Sequence, residues 1–167
     1  MNIRGACATV CLPLVALLLS ACMSAVDLKQ TLQVTDTSAG WYDAGIVGGK
    51  NKLVPSVTFR VRKTRDANLR GLSLNVVFKR LTPGAPGTEE EFDDVFVQNV
   101  NFTEGNQTPP ITARTEAGYT GEPPQSRADM LQNSQFRDAR ARVFAKIGAS
   151  QWAELAAIDV SRVILTK

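Results

Sequence analysis

The residues able to do chemistry are few and unevenly placed. Three cysteines, Cys7, Cys11 and Cys22, all fall in the first 22 positions, and the 167-residue chain has no histidine. The usual general base, proton shuttle and metal ligand are therefore missing together. No S-x-x-K, G-x-S-x-G or G-x-x-x-x-G-K-[ST] spacing occurs, so serine–lysine, hydrolase and phosphate-loop chemistry lack their motifs. The run Glu89-Glu90-Glu91-Phe92-Asp93-Asp94 offers oxygens suited to calcium, without the D-x-D-x-D-G spacing that wraps a loop round one ion. It reads instead as a solvated loop leading into a strand, its charges guarding a sheet edge. No catalytic residue, metal site or cofactor is expected.

Binding chemistry has more material. Arg60 and Arg62 project from the polar face of a strand pattern, with Lys63, Arg65 and Arg70 close by. Arg137, Arg140, Arg142 and Lys146 form a second row. Were the two rows neighbours, Arg60, Arg62 and Arg142 would share a cationic face suited to anionic lipid or a polyanionic glycan. The alternative is a solvated sheet face neutralised by the acidic run. Trp41 and Trp152 are read as core plugs, each indole N–H meeting a backbone carbonyl, with a carbohydrate-stacking platform as the alternative for a tryptophan next to a glycine. Tyr119, in Gly118-Tyr119-Thr120-Gly121, is read as poorly buried in a loop and is the remaining candidate contact residue.

Lys and Arg number 19 against 16 Asp and Glu, too mild an excess for a dedicated nucleic-acid binder. The N-terminus is more specific. Arg4 supplies a positive n-region, Val10 to Leu19 is an apolar run of ten, and Leu19-Ser20-Ala21-Cys22 follows. Ten residues are too few for a spanning helix, which needs about 20, but suit a signal-peptide h-region. The order of charge, apolar run and box resembles bacterial prolipoproteins. That resemblance implies diacylglycerol on the Cys22 thiol, cleavage before it and an extracytoplasmic, lipid-anchored protein. By the sorting rules of such lipoproteins, Met23 favours the outer membrane over the inner. Losing residues 1–21 removes Arg4 and leaves 18 cationic against 16 anionic residues. It also leaves no disulfide, so the mature domain must be held by its core alone.

The elements that position these residues are mostly strands. Val57, Phe59 and Val61 alternate with Thr58, Arg60 and Arg62, and Leu72, Leu74, Val76 and Phe78 mark a second strand. The short polar link from Thr64 to Arg70 reads them as a hairpin or adjacent antiparallel pair. Weaker alternation marks Leu28–Val34, Phe92–Phe102, Ile111–Thr115, Ala139–Ile147 and Trp152–Leu165, separated by Gly- and Pro-rich turns, although Arg137–Lys146, rich in Ala and Arg, also suits a helix by propensity. Ser126 is an N-cap candidate for one short helix reaching about Asn133. The expected class is mainly β: an antiparallel two-sheet immunoglobulin-like sandwich over 30–167, after a signal peptide (1–21) and a lipidated Cys22 with its tether (22–29). The V-x-F-x-V and L-x-L-x-V-x-F strand pair after a lipobox resembles small bacterial lipoproteins with immunoglobulin-like domains, and implies no catalytic residue. The expected role is a non-enzymatic binding or assembly module of the cell envelope, with a protein partner. The alternative is a lipoprotein that binds glycan or anionic lipid.

Overall fold

The computed structural model describes residues 26–85, 87–103 and 105–165. Strands β1 (Leu32–Val47), β2 (Lys50–Lys63), β5 (Ile111–Arg114), β6 (Tyr119–Gly121) and β9 (Ile164–Leu165) build one sheet. In it β2 pairs with β1, β5 and β6, and β9 runs parallel to β1. Strands β3 (Leu72–Leu81), β4 (Glu89–Val97), β7 (Ala139–Ile147) and β8 (Ala153–Val160) build the other, antiparallel throughout in the order β4-β3-β7-β8. The two pack as an immunoglobulin-like β-sandwich.

The alternation sets the faces. Val57, Phe59 and Val61 from one sheet, and Leu72, Leu74, Val76, Phe78, Ala141, Val143 and Ala145 from the other, form one fully buried core. Phe59 and Leu74 are both fully buried, as their phasing requires, and lie in opposite layers. The β1–β2 hairpin closes through Gly48 and Gly49, at φ 59° and 79°; a two-residue turn matched to strand twist needs positive φ at both positions.

Four expectations change. β2 and β3 are not neighbours: the link between them, 64–71, crosses from one sheet to the other and tucks Leu69 into the core. Eight residues are ample for a crossing, where a hairpin takes two to five. Leu28–Val34 is not one strand, and 22–29 is not all tether. Asp27 caps a short helix, α1 (Leu28–Thr31), accepting from the Lys29 and Gln30 backbone N–H groups at 3.0 and 3.3 Å, and Leu28 joins the core. The sandwich thus has two short helices rather than one. Residues 22–25 lie outside the described residues. Last, the acidic run belongs to edge strand β4 itself rather than to a loop before it.

The second helix, α2 (Arg127–Gln132), starts where Ser126 predicts. The Ser126 hydroxyl accepts from the Asp129 N–H at 3.1 Å and Asp129 accepts from the Ser126 N–H at 3.2 Å, a reciprocal cap. Met130 and Leu131 anchor the helix over one end of the sandwich. No helix among the described residues is long and apolar enough to cross a membrane.

Candidate functional site

The two basic rows do not meet. Arg60 and Arg62 lie on the outer face of β2, and Arg142 lies on the outer face of β7 in the other sheet. Two sheets packed through their inner faces turn their outer faces in opposite directions, so Arg60, Arg62 and Arg142 do not share a cationic face. Arg60 donates to the Thr108 carbonyl at 3.1 Å and lies 3.9 Å from Asp36; Arg62 donates to Gln33 Oε1 at 2.6 Å.

Arg142 is neutralised. Its Nε and Nη2 donate to the two Glu89 oxygens at 2.7 and 2.9 Å, and its Nη1 to Glu154 at 2.7 Å. Arg140 donates to Glu89 at 3.0 Å and to Asp159 at 2.6 Å. Hydrogen bonds from Arg142, above all, hold the Glu89 carboxyl below its usual pKa against the opposing pull of burial. The same bonds raise Arg142 further above its already high value. These five side chains are a structural network. Glu89, first residue of the acidic run, supplies the neutralisation that the sequence allows.

The aromatic residues divide differently from expectation. Trp152 is not a core plug: it is 39% exposed and meets Phe96, 46% exposed, edge-on at 5.8 Å, with the Lys146 ammonium 4.7 Å from its ring centre. Trp41 is core, 3% exposed, packed edge-on against Phe136 at 4.6 Å. However, its buried indole N–H finds no acceptor among the described residues. Tyr119 is not in a loop. It sits on β6 opposite Leu53 and packs edge-on against Phe136 at 5.1 Å.

Trp41 and Tyr119 come together in a cleft of about 480 Å³ at the α2 end of the sandwich, within the size range of small-ligand sites. Sheet one supplies Trp41, Gly118 and Tyr119. Sheet two supplies Arg80, Leu81, Thr82, Glu90 and Phe92, and the approach to β7 adds Gln135 and Arg137. Asp93 fixes the mouth: its Oδ2 accepts from the Glu116 and Ala117 N–H groups, both at 3.0 Å, pinning the β5–β6 connection to edge strand β4. Gly118 lets that connection close, because a Cβ there would strike the Leu53 carbonyl oxygen and the Val54 side chain.

The charge in the cleft is unbalanced. The Arg80 guanidinium lies 4.8 Å from the Phe92 ring centre, and neither Arg80 nor Arg137 forms an ion pair with a described carboxylate. Elsewhere Arg127 and Arg162 each hold one, and Arg140 and Arg142 two each. Arg80, Phe92, Gln135 and Arg137 had no local signal as a set, since strand ends far apart in sequence supply them. Among the described residues no group of three or more His, Cys, Asp or Glu side chains is placed to hold a metal ion. Comparison with family models, curated proteins and solved structures found no match.

Proposed function

We propose that the protein is a lipid-anchored, non-enzymatic binding module of a bacterial cell envelope, held at Cys22, with its ligand site in the α2-end cleft. One observation carries this reading. The cleft combines aromatic walls (Trp41, Phe92, Tyr119) with two guanidiniums, Arg80 and Arg137, free of described ion pairs. Aromatic faces suit the C–H face of a sugar ring, and paired guanidiniums suit a carboxylate. The ligand class is therefore an acidic saccharide.

N-acetylmuramic acid and N-acetylglucosamine differ by the 3-O-lactyl ether that carries the carboxylate, and serve as the probe pair. Calorimetric titration is expected to show binding of the carboxylated sugar, weaker binding of the neutral one, and loss of the difference in R80Q/R137Q. Equal affinity for both sugars, or a preference unchanged in the variant, would contradict the assignment.

A further inference from the structure

We propose that the end of the sandwich opposite the cleft is a docking surface for the anionic headgroups of the membrane holding Cys22, a proposal that rests on the lipid-anchor reading. Chain length brings this end to the membrane. Asp27, where the fold begins, is five residues beyond Cys22. At about 3.5 Å per extended residue, that stretch reaches at most about 18 Å.

The strand register shows what lies at this end. Leu32 pairs with Lys63 in one sheet; Leu72 pairs with Ile147, Leu74 with Val97 and Ala145 with Ala153 in the other. The connection from β4 to β5 ties the sheets together here, through Val100 N–H to the Leu72 carbonyl (3.1 Å) and Lys63 N–H to the Asn106 carbonyl (2.7 Å). Arg65 reaches α1 itself, donating to Gln30 at 2.8 Å.

Six cations gather on these elements: Lys29, Arg62, Lys63, Arg65, Arg70 and Lys146. None forms an ion pair with a described carboxylate. The described acids among the same segments are Asp27, occupied as the α1 cap, Asp66, and Glu154, occupied by Arg142. Beside them stand Trp152 and Phe96, the exposed aromatic pair, with Lys146 over the indole. An indole next to ammonium and guanidinium groups suits the headgroup layer, where one side is apolar and the other wet. Exposed charges act over a Debye length of about 8 Å at physiological salt, so this attraction alone is weak. The acyl anchor supplies the proximity, and the cations then set orientation, turning the cleft away from the membrane.

The test uses the full acylated protein in vesicles with bromine-labelled acyl chains, which quench nearby indoles. The Trp152 signal is the difference between wild type and W152F, a surface substitution that leaves Trp41 as the remaining tryptophan. Trp152 is expected to be quenched at least about threefold more strongly with about 30% phosphatidylglycerol than with phosphatidylcholine alone. Trp41 should be unquenched in both. The difference should collapse in R62Q/R65Q/R70Q and at about 0.5 M salt. Quenching of Trp152 indifferent to headgroup charge, or weaker than that of Trp41, would overturn the proposal while leaving the anchor intact. Intact mass reports Cys22 acylation separately. If Cys22 proves unmodified, the same protein is sedimented with phosphatidylglycerol vesicles: salt-sensitive binding lost in the triple variant sustains the surface, and no binding refutes it.

Discussion

Replacing Glu89 by Gln keeps the shape of the side chain and removes the charge that two arginines share. Glu89 is 8% exposed and accepts three hydrogen bonds, two from Arg142 and one from Arg140. Glutamine retains one acceptor oxygen and turns an N–H₂ group toward a guanidinium N–H. Removing one partner of a buried ion pair costs about 3–5 kcal/mol. Here Arg142 keeps Glu154 and Arg140 keeps Asp159, and both guanidiniums remain more than a quarter exposed. The expected loss is therefore about 2–3 kcal/mol, read as a shift in a urea titration at neutral pH. Its pH dependence has a definite sign. The carboxyl is held below its ordinary pKa, so its contribution is complete above the unfolded value of about 4.3 and is lost as pH falls through the folded one. The gap between wild type and E89Q should hold from neutrality to about pH 5 and close in stronger acid. A neutral-pH loss under about 0.5 kcal/mol, or a gap that widens in acid, would refute this description of the network.

Phe59→Ala should cost about 3–5 kcal/mol, because Phe59 is fully buried between the sheets, whereas Arg62→Ala should stay within about 0.5 kcal/mol; a urea titration with the reverse ranking would overturn the strand phasing. Gly118→Ala places a Cβ against the Leu53 carbonyl and the Val54 side chain and should destabilise by about 1–3 kcal/mol, with weaker binding of the acidic sugar; thermal denaturation unchanged from wild type would show that the β5–β6 connection yields. Cys22→Ser should abolish metabolic palmitate labelling, and label retained in that variant would exclude the lipid anchor.

Much of the sandwich could be read from the sequence because alternation fixes a strand's buried face before its partners are known. Val57-Thr58-Phe59-Arg60-Val61 and Leu72 to Phe78 could be phased in isolation, and Ser126 marked α2 by its capping chemistry. Alternation says nothing of which sheet a strand joins, and there the reading failed: β2 and β3 belong to different layers, which separated Arg62 from Arg142. α1 was missed because four residues are too few to show a helical period, and Leu28 looked like the start of an alternating run. The chain neighbours of Trp41 and Trp152 do not decide their burial, and their opposite fates depend on Phe136 covering one and solvent bathing the other. The cleft was the least legible feature. Its aromatic and cationic residues come from β1, β3, β4, β6 and the approach to β7, and become a site only through the crossing of strand ends.

The central claim is that the cleft, walled in part by Trp41, binds an acidic saccharide. The chain has two tryptophans, so its proton–nitrogen spectrum contains two indole signals. W152F assigns them. On titration with N-acetylmuramic acid, the Trp41 signal should shift as the cleft it lines is filled, while the Trp152 signal stays in place. N-acetylglucosamine should leave both largely unmoved. A Trp41 signal indifferent to the carboxylated sugar, or displaced equally by the neutral one, would contradict the account.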